Sequence, residues 1–211
     1  MKSSARVVVI GGGVAGVATL YHLAKKGWAD VVLVERKELT SGSTWHAAGL
    51  LPLFNMSYSV GQIHKYSVDF YQRLEKETGH SVGFRQVSNI RLAMSEDRLD
   101  EYRYYAGVAR TIGVDVRLLS PDEVQTIWPL CRTDGLLGAI QHPDDGYIQP
   151  ADLTQALAAG ARSLGAEIYR HNAVTALAEL PGGGWSVTTD EGVIDCEHVV
   201  CASGNFARKT G

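Results

Sequence analysis

The sequence lacks the features that would indicate several classes of protein. Its three cysteines (Cys131, Cys196 and Cys201) show no Cys-x-x-Cys spacing, so we expect reduced thiols rather than a disulfide framework or a metal site. Lys and Arg total 20 against 23 Asp and Glu, which disfavours a nucleic-acid partner held by bulk charge. The apolar residues 7–20 are too few to span a bilayer and are interrupted by glycines. We therefore expect a cytoplasmic globular protein whose mature chain starts near Met1.

Glycine, by contrast, is abundant: 23 of 211 residues is about 11%, against roughly 7% in an average protein. The β-branched run 7–10 leads directly into Gly11-Gly12-Gly13-Val14-Ala15-Gly16. Apolar residues then recur at spacings of three and four over residues 14–26, which predicts a helix that ends at Gly27. A buried strand, a glycine turn and a helix follow one another in the order that a dinucleotide site requires.

Each element of this motif has a mechanical role if a dinucleotide binds. Gly11 makes the tight turn, Gly13 lets the pyrophosphate approach, and Gly16 lets helix and strand pack closely. The amides of the helix N-terminus, at Val14 and Ala15, are donors for the phosphates. A second predicted strand, residues 31–34, ends in Glu35, where a carboxylate can accept hydrogen bonds from a ribose. Because an acid would repel a 2'-phosphate, NADP is disfavoured, and NAD and FAD remain.

The loop after Glu35 is rich in small and hydroxyl-bearing residues. It leaves the carboxyl ends of the strands, where ligands bind in open α/β sheets, so its backbone can pack against a cofactor. The residues that we assign to the cofactor in this loop are Arg36, Gly42, Ser43, Thr44, Trp45, His46, Ala47, Ala48, Gly49 and Leu50.

Residues 39–50 resemble the flavin-attachment segment of the dimethylglycine and sarcosine dehydrogenases, flavoproteins of the wider D-amino-acid oxidase-like group. The resemblance continues through residues 63–66, 77–79 and 143–146, and covers essentially the whole chain. It implies that FAD is the cofactor and that His46 is bonded covalently to the 8α-carbon of the flavin. It also implies that Val174 pairs its backbone with adenine and that Gly204 lies in a turn beside the FAD. The alternative for His46 is a loop histidine hydrogen-bonded to backbone.

The fold class implied is α/β: an FAD-binding, Rossmann-like parallel sheet with an inserted α+β segment of a substrate domain. The flavin domain would comprise residues 1–53 and 150–211, lack its C-terminal part, and enclose the start of the substrate domain at 54–149. Periodicity independently predicts helices over 58–78, 96–112 and 153–164 and strands over 89–94, 166–169, 174–180 and 185–189. We interpret His142, in a turn-rich segment, as structural.

The function implied is oxidation of an N-methylated glycine, dimethylglycine or sarcosine, by hydride transfer to a His-tethered flavin. The one-carbon unit would leave as formaldehyde or pass to folate on a module outside this chain. Tyr147, Gln149, Cys201 and Ser203 depart from the residues common in the family. No catalytic residue is assigned. We expect the chain to be an N-terminal portion, inactive alone, because this kind of domain needs further strands after Gly211.

Two other functions stay open from the sequence. One is a noncovalent FAD oxidoreductase of the glycine-oxidase or glycerol-phosphate type, with His46 merely near the flavin. The other is a non-catalytic regulatory subunit, because the dehydrogenases have a phosphatase-regulating relative of the same fold. That relative lacks the attachment histidine, so His46 argues against it.

Overall fold

The computed structural model describes residues 1–210, which form two compact units. The first unit comprises Met1–Ala48, Arg73–Gly83 and the chain from Gln149 onwards, and the second comprises Gly49–Gln72 and Phe84–Ile148. Gly211, the last residue of the predicted flavin domain, lies outside the described residues. The units divide the chain differently from the predicted domains: residues 49–53 belong to the second unit, and residues 73–83 and Gln149 to the first. The domain boundaries themselves stay a prediction. Within the first unit, the Tyr21 hydroxyl donates to Glu77 Oε2 at 2.7 Å, which ties residues 73–83 to the rest of that unit.

The described chain contains twelve strands, six α-helices and two 3-10 helices. The 3-10 helices are Ser43–His46 and Gly204–Phe206. The helices are α1 (Val14–Lys25), α2 (Tyr58–Thr78), α3 (Glu96–Ile112), α4 (Pro121–Ile127), α5 (Pro150–Ser163) and α6 (Ala207–Thr210). The strands are β1 (Ser4–Ile10), β2 (Val31–Val34), β3 (Leu50–Leu51), β4 (Arg85–Gln86), β5 (Asn89–Ala93), β6 (Arg117–Leu119), β7 (Gly138–His142), β8 (Gly146–Tyr147), β9 (Glu167–Tyr169), β10 (Val174–Glu179), β11 (Trp185–Thr189) and β12 (Gly192–Cys201).

The first unit is built on a six-stranded sheet in the order β10-β11-β12-β1-β2-β9. Strands β12, β1, β2 and β9 are parallel, and β10, β11 and the first half of β12 form an antiparallel meander. Ile10 is in register with both Val34 and Cys201, so three strands end side by side. Because β1 has β2 on one side and β12 on the other, this shared end is the switch point where open α/β sheets bind ligands.

Both faces of the parallel strands are buried. Val8, Ile10, Val32 and Val34 pack in one cluster with Val187 and Ile194 of the meander. The alternate residues, such as Val7 and Val9, are also buried, and helices α1 and α5 pack against each other and against these strands. A Cβ on Gly160 would lie 2.7 Å from the Tyr21 ring, so this glycine permits the close approach of α5 to α1. The continuous β-branched runs are thus the pattern of a sheet covered on both sides.

The second unit has two small antiparallel sheets, in the orders β5-β7-β6 and β3-β8-β4. Helix α3 begins at the N-cap Ser95, whose hydroxyl accepts from the Arg98 amide, and ends at Gly113 with a φ of 79°. Helix α4 begins with a capping box between Ser120 and Glu123. The core of this unit joins α3 to the strands through Tyr102, Tyr105, Ala109, Ile112, Ala93 and Ile140, among others.

The structure confirms the α/β fold class and most of the predicted elements. The helices predicted over 58–78 and 96–112 are α2 and α3 with the same bounds, and the meander strands differ by one residue or less. Helix α4 and strands β3, β4, β6, β7 and β8 were not predicted. Strands β3, β4, β6 and β8 have two or three residues, too few for an alternating pattern, whereas β7 is buried along its whole length and so does not alternate. All of them form by pairing with distant segments.

Candidate functional site

The glycine turn at the end of β1 is tightly enclosed on its strand side. Gly11 has a φ of 114°, and a Cβ there would lie 2.4 Å from the Ala202 carbonyl oxygen. A Cβ on Gly16 would lie 2.0 Å from the Gly11 carbonyl oxygen, so α1 crosses β1 at a distance that only glycine allows. A Cβ on Gly13 would meet just one atom within 4 Å, Thr44 Oγ1 at 3.2 Å. Gly11 and Gly16 therefore serve the packing of strand and helix, whereas Gly13 faces comparatively open space.

The N-terminus of α1 is capped from another loop. Gly13, at the N-cap, has no side chain, and the Val14 amide donates instead to Thr44 Oγ1 at 3.0 Å. The first bond along the helix runs from the Val17 amide to the Gly13 carbonyl at 3.0 Å, so the Ala15 and Gly16 amides have no helical acceptor. Ala15 is exposed. The Val14 amide, predicted to donate to a phosphate, is therefore taken by Thr44. The Ala15 and Gly16 amides and the positive dipole end remain for an anion such as a phosphate.

Glu35 directly follows β2 and is held by backbone amides. Its Oε2 accepts from the Gly12 amide at 2.6 Å, and its Oε1 accepts from the Lys37 amide at 2.8 Å. Since each carboxylate oxygen has two lone pairs, both can still accept from a hydroxyl. The carboxylate is therefore oriented at the same strand ends as the glycine turn.

The loop after Glu35 is fastened at two points. Arg36 places its guanidinium 3.9 Å from the centroid of the Phe206 ring, in the 3-10 helix that begins at Gly204. Glu38 is hydrogen-bonded by Arg170 at 2.5 Å and by His171 at 2.8 Å, and these bonds hold the pKa of Glu38 below its ordinary value. The structure thus brings Arg36 and the segment of Gly204 together.

Residues 42–48 form an exposed turn with one buried member. The 3-10 helix Ser43–His46 buries Thr44, whereas Gly42, Ser43, Ala47 and Ala48 are exposed. Trp45 is 66% exposed, and its ring lies 5.5 Å from the His46 ring. His46 is exposed as well, so its ring is accessible to a bound group. In the second unit, Gly49 has a φ of 72° and leads into the exposed Leu50 of β3.

Val174 is connected to Glu35 through the residues just before it. The Asn172 amide donates to the Glu35 carbonyl at 3.0 Å, and the His171 amide donates to the Lys37 carbonyl at 3.4 Å. Val174 then begins β10 and is half-buried against the core of the first unit.

Two contributors to this site were missed by sequence reasoning. The capping role of Thr44 had one available signal, an N-cap glycine that cannot cap its own helix. The stacking partner Phe206 had none, because a ring at the end of the described chain reaches Arg36 only through the register of β12 with β1.

The second unit contains five polar residues with buried side-chain atoms that lack a partner in the described chain, and we call this set the buried polar cluster: Asn89, Arg91, Gln141, His142 and Asp145. Asn89 pairs with His142 across β5 and β7, whereas Gln141 lies on the opposite face of β7. His142 is fully buried, and burial together with the charge of Arg91 lowers its pKa to about 4. Asp145 is 2% exposed, and burial raises its pKa to about 6. Asp145 Oδ1 accepts from the Leu53 amide at 2.8 Å, whereas Asp145 Oδ2 and both His142 ring nitrogens find no protein partner within the described residues. The interpretation of His142 as structural stays a prediction.

Residues 1–210 contain neither a metal-binding cluster nor a helix able to span a membrane. No group of three or more His, Cys, Asp or Glu side chains there is arranged to hold a metal ion, and all three cysteines are free thiols. None of the helices in residues 1–210 is long and apolar enough to cross a membrane.

Comparisons with known proteins identify relatives along the whole chain. The chain is 42% identical over 210 residues to dimethylglycine dehydrogenase, mitochondrial, of Rattus norvegicus, which covers 100% of this chain and 24% of that protein. It is 34% identical over 211 residues to the mitochondrial pyruvate dehydrogenase phosphatase regulatory subunit of Mus musculus, again 100% of this chain and 24% of that protein. The chain thus spans about a quarter of the length of these relatives.

A solved structure shares the fold. The crystal structure of glycine oxidase from Geobacillus kaustophilus matches with a TM-score of 0.83 and 30% identity, covering 100% of this chain and 58% of that one. The family model described as FAD dependent oxidoreductase matches residues 6–211. These matches confirm the resemblance seen in the sequence, and the chain belongs to the family of FAD-dependent oxidoreductases.

Proposed function

We propose that the first unit binds FAD across the switch point of its parallel sheet. In this proposal Gly13, Ala15 and Gly16 lie against the pyrophosphate, while Gly11 shapes the turn and Val14 holds Thr44 through its amide. Glu35 and Arg36 bind near the ribose, and residues 42–50 pack against the flavin. Val174 and Gly204 complete the site. The observation that carries the proposal is the bond from the Val14 amide to Thr44 Oγ1, because it fastens the His46-bearing turn to the phosphate-binding end of α1.

We further propose that His46 is the covalent tether of the flavin. Its ring is exposed, it lies two residues from the anchored Thr44, and the small exposed residues Ala47 and Ala48 follow it. On the other side the exposed Trp45 ring lies 5.5 Å from the His46 ring. A neutral imidazole is a competent nucleophile toward the flavin 8α-carbon, and such a bond makes the flavin a better oxidant.

The reaction that we propose for the whole protein is oxidation of an N-methylated glycine, dimethylglycine or sarcosine. When bound, FAD supplies the hydride acceptor for the N-methyl carbon. Residues of this chain would orient the cofactor through Glu35 and the α1 amides, and the second unit would begin the substrate domain. Folate as acceptor of the one-carbon unit, on a module outside this chain, and a cytoplasmic location belong to the same proposal.

Two relatives supply the alternatives. The 30% identity to a glycine oxidase supports a noncovalent FAD oxidoreductase, and the 34% identity to a phosphatase regulatory subunit supports a non-catalytic role. The three functions differ in one property, which is whether flavin is absent, bound reversibly or bonded to the polypeptide.

The test is denaturing gel electrophoresis of the protein at its full natural length, with flavin fluorescence as the readout. We expect fluorescence that travels with the wild-type polypeptide and disappears in His46→Ala. The matched control is His80→Ala, an exposed histidine beyond α2, which should keep the fluorescence. Flavin released on denaturation would overturn the tether and favour a noncovalent oxidoreductase. A folded protein without flavin would favour the regulatory function.

A further inference from the structure

A small cavity in the second unit lies between β3 and helix α2. Its volume is about 140 Å³, comparable to the roughly 150 Å³ of an apolar cavity that holds benzene. One wall is the segment Leu50–Leu51–Pro52, and the other is formed by His64, Ser67, Val68 and Tyr71. These four residues recur at i, i+3, i+4 and i+7, so they share one face of α2.

The cavity lining includes one ring nitrogen, on His64, without a hydrogen-bond partner. Ser67 Oγ donates to the Ile63 carbonyl at 2.8 Å. His64 Nδ1 lies 3.0 Å from the Pro52 carbonyl oxygen. Because a carbonyl only accepts, Nδ1 carries the hydrogen in that bond, and in the neutral ring Nε2 is then an acceptor. Within the described residues Nε2 has no hydrogen-bond partner.

The side chains that line the cavity suit a methylated ammonium group. Leu50, Leu51 and Val68 offer contacts to methyl groups, and Tyr71 offers an aromatic ring, which attracts methylated ammonium groups. The unpartnered acceptor, His64 Nε2, suits a group with a single N–H. No lysine or arginine lines the cavity, so a carboxylate would remain at its open side.

We propose that this cavity binds the protonated methylamine head of a small N-methylated amine, with its N–H donated to His64 Nε2 and its methyl groups against the apolar walls. The inference rests on the proposed function, whose substrates carry such a head.

The test compares two cations of similar size, trimethylammonium and tetramethylammonium, which differ in the N–H. Both are titrated into the flavin-loaded, full-length protein by calorimetry. A hydrogen bond to a charged donor favours trimethylammonium by about tenfold in Kd. We expect this preference in the wild type. We expect its loss in His64→Asn, because the Asn Nδ2 takes the place of Nδ1 and can still donate to Pro52, whereas the Asn oxygen is one bond too short to reach the position of Nε2.

Two further variants keep the result interpretable. His80→Asn makes the same change at an exposed position outside the cavity and should retain the tenfold preference. Leu51→Phe fills the cavity and should weaken both cations equally. The proposal is overturned if neither cation binds to the wild type, or if His64→Asn keeps the preference. If the protein oxidises N-methylglycines but does not prefer trimethylammonium, the role of the cavity is refuted and the proposed function stands. If the protein holds no flavin but shows the preference, the proposed function is refuted and the binding role of the cavity stands.

Discussion

In the first unit, the polar groups around the glycine turn and Glu35 are satisfied by hydrogen bonds that involve backbone amides. In the second unit, by contrast, the buried polar cluster contains side-chain atoms without hydrogen-bond partners in the described chain. Both oxygens of Glu35 accept from amides, and Val14 donates to Thr44. Six buried side-chain atoms without a partner in the described chain all belong to the cluster of Asn89, Arg91, Gln141, His142 and Asp145. The glycine turn therefore depends on close backbone approach, and the cluster depends on the protonation states of buried groups.

The largest effect that we predict tests this dependence on backbone approach. Gly16→Ala should lower the free energy of unfolding by at least about 3 kcal/mol, because its Cβ would lie 2.0 Å from a backbone oxygen that cannot move aside. Gly107→Ala, in the exposed interior of α3 with no atom within 4 Å, should raise it by about 1 kcal/mol. Urea unfolding of both variants measures the difference, and equal effects at the two positions would contradict it.

The next effect concerns the buried polar cluster and pH. The folded-state pKa of Asp145 is about 6, above its ordinary 3.8, so its contribution to stability increases as pH falls from 6 to 4. The folded-state pKa of His142 is about 4, below its ordinary 6.5, so its contribution decreases as pH falls from 6.5 to 4. The two contributions oppose each other over nearly the same range.

Single substitutions should expose each contribution. Relative to the wild type, His142→Phe should gain about 3 kcal/mol of unfolding free energy between pH 6.5 and pH 4, because the loss that His142 causes on acidification is removed. Asp145→Asn should lose about 3 kcal/mol over the same range. Urea unfolding at several pH values measures both, with wild-type values subtracted to remove the other titrating groups. Parallel pH profiles for the two variants would show that the two groups are not buried as described.

The smallest effect tests the cap of α1. Thr44→Val keeps the shape of the side chain but removes the acceptor of the Val14 amide, and should cost about 1 kcal/mol. Thr44→Ser keeps the hydroxyl and should retain most of the stability. Thermal unfolding of the two variants checks the prediction, and a Val variant as stable as Ser would argue that the bond contributes nothing.

Much of the first unit was predictable because its signals are local. The β-branched runs, the glycines at 11, 13 and 16 and the acid at 35 occur within one stretch of about 30 residues, the length of a βαβ unit. The long helices α2 and α3 were predictable for the same reason, since periodicity accumulates over many turns. Domain boundaries were less predictable, because α2 runs from one unit into the other without any interruption of its pattern.

The sequence by itself determined the α/β class, the glycine turn and the resemblance of residues 39–50 to a flavin-attachment segment. The tertiary structure alone decided that Thr44 caps α1, that Arg36 stacks on Phe206, and that His64 faces Pro52 across a small cavity. The physical reason is the sequence separation over which each interaction acts. Backbone conformation and amphipathic periodicity are properties of neighbouring residues, whereas a hydrogen bond or ring contact between distant segments exists only once the sheets have set their register.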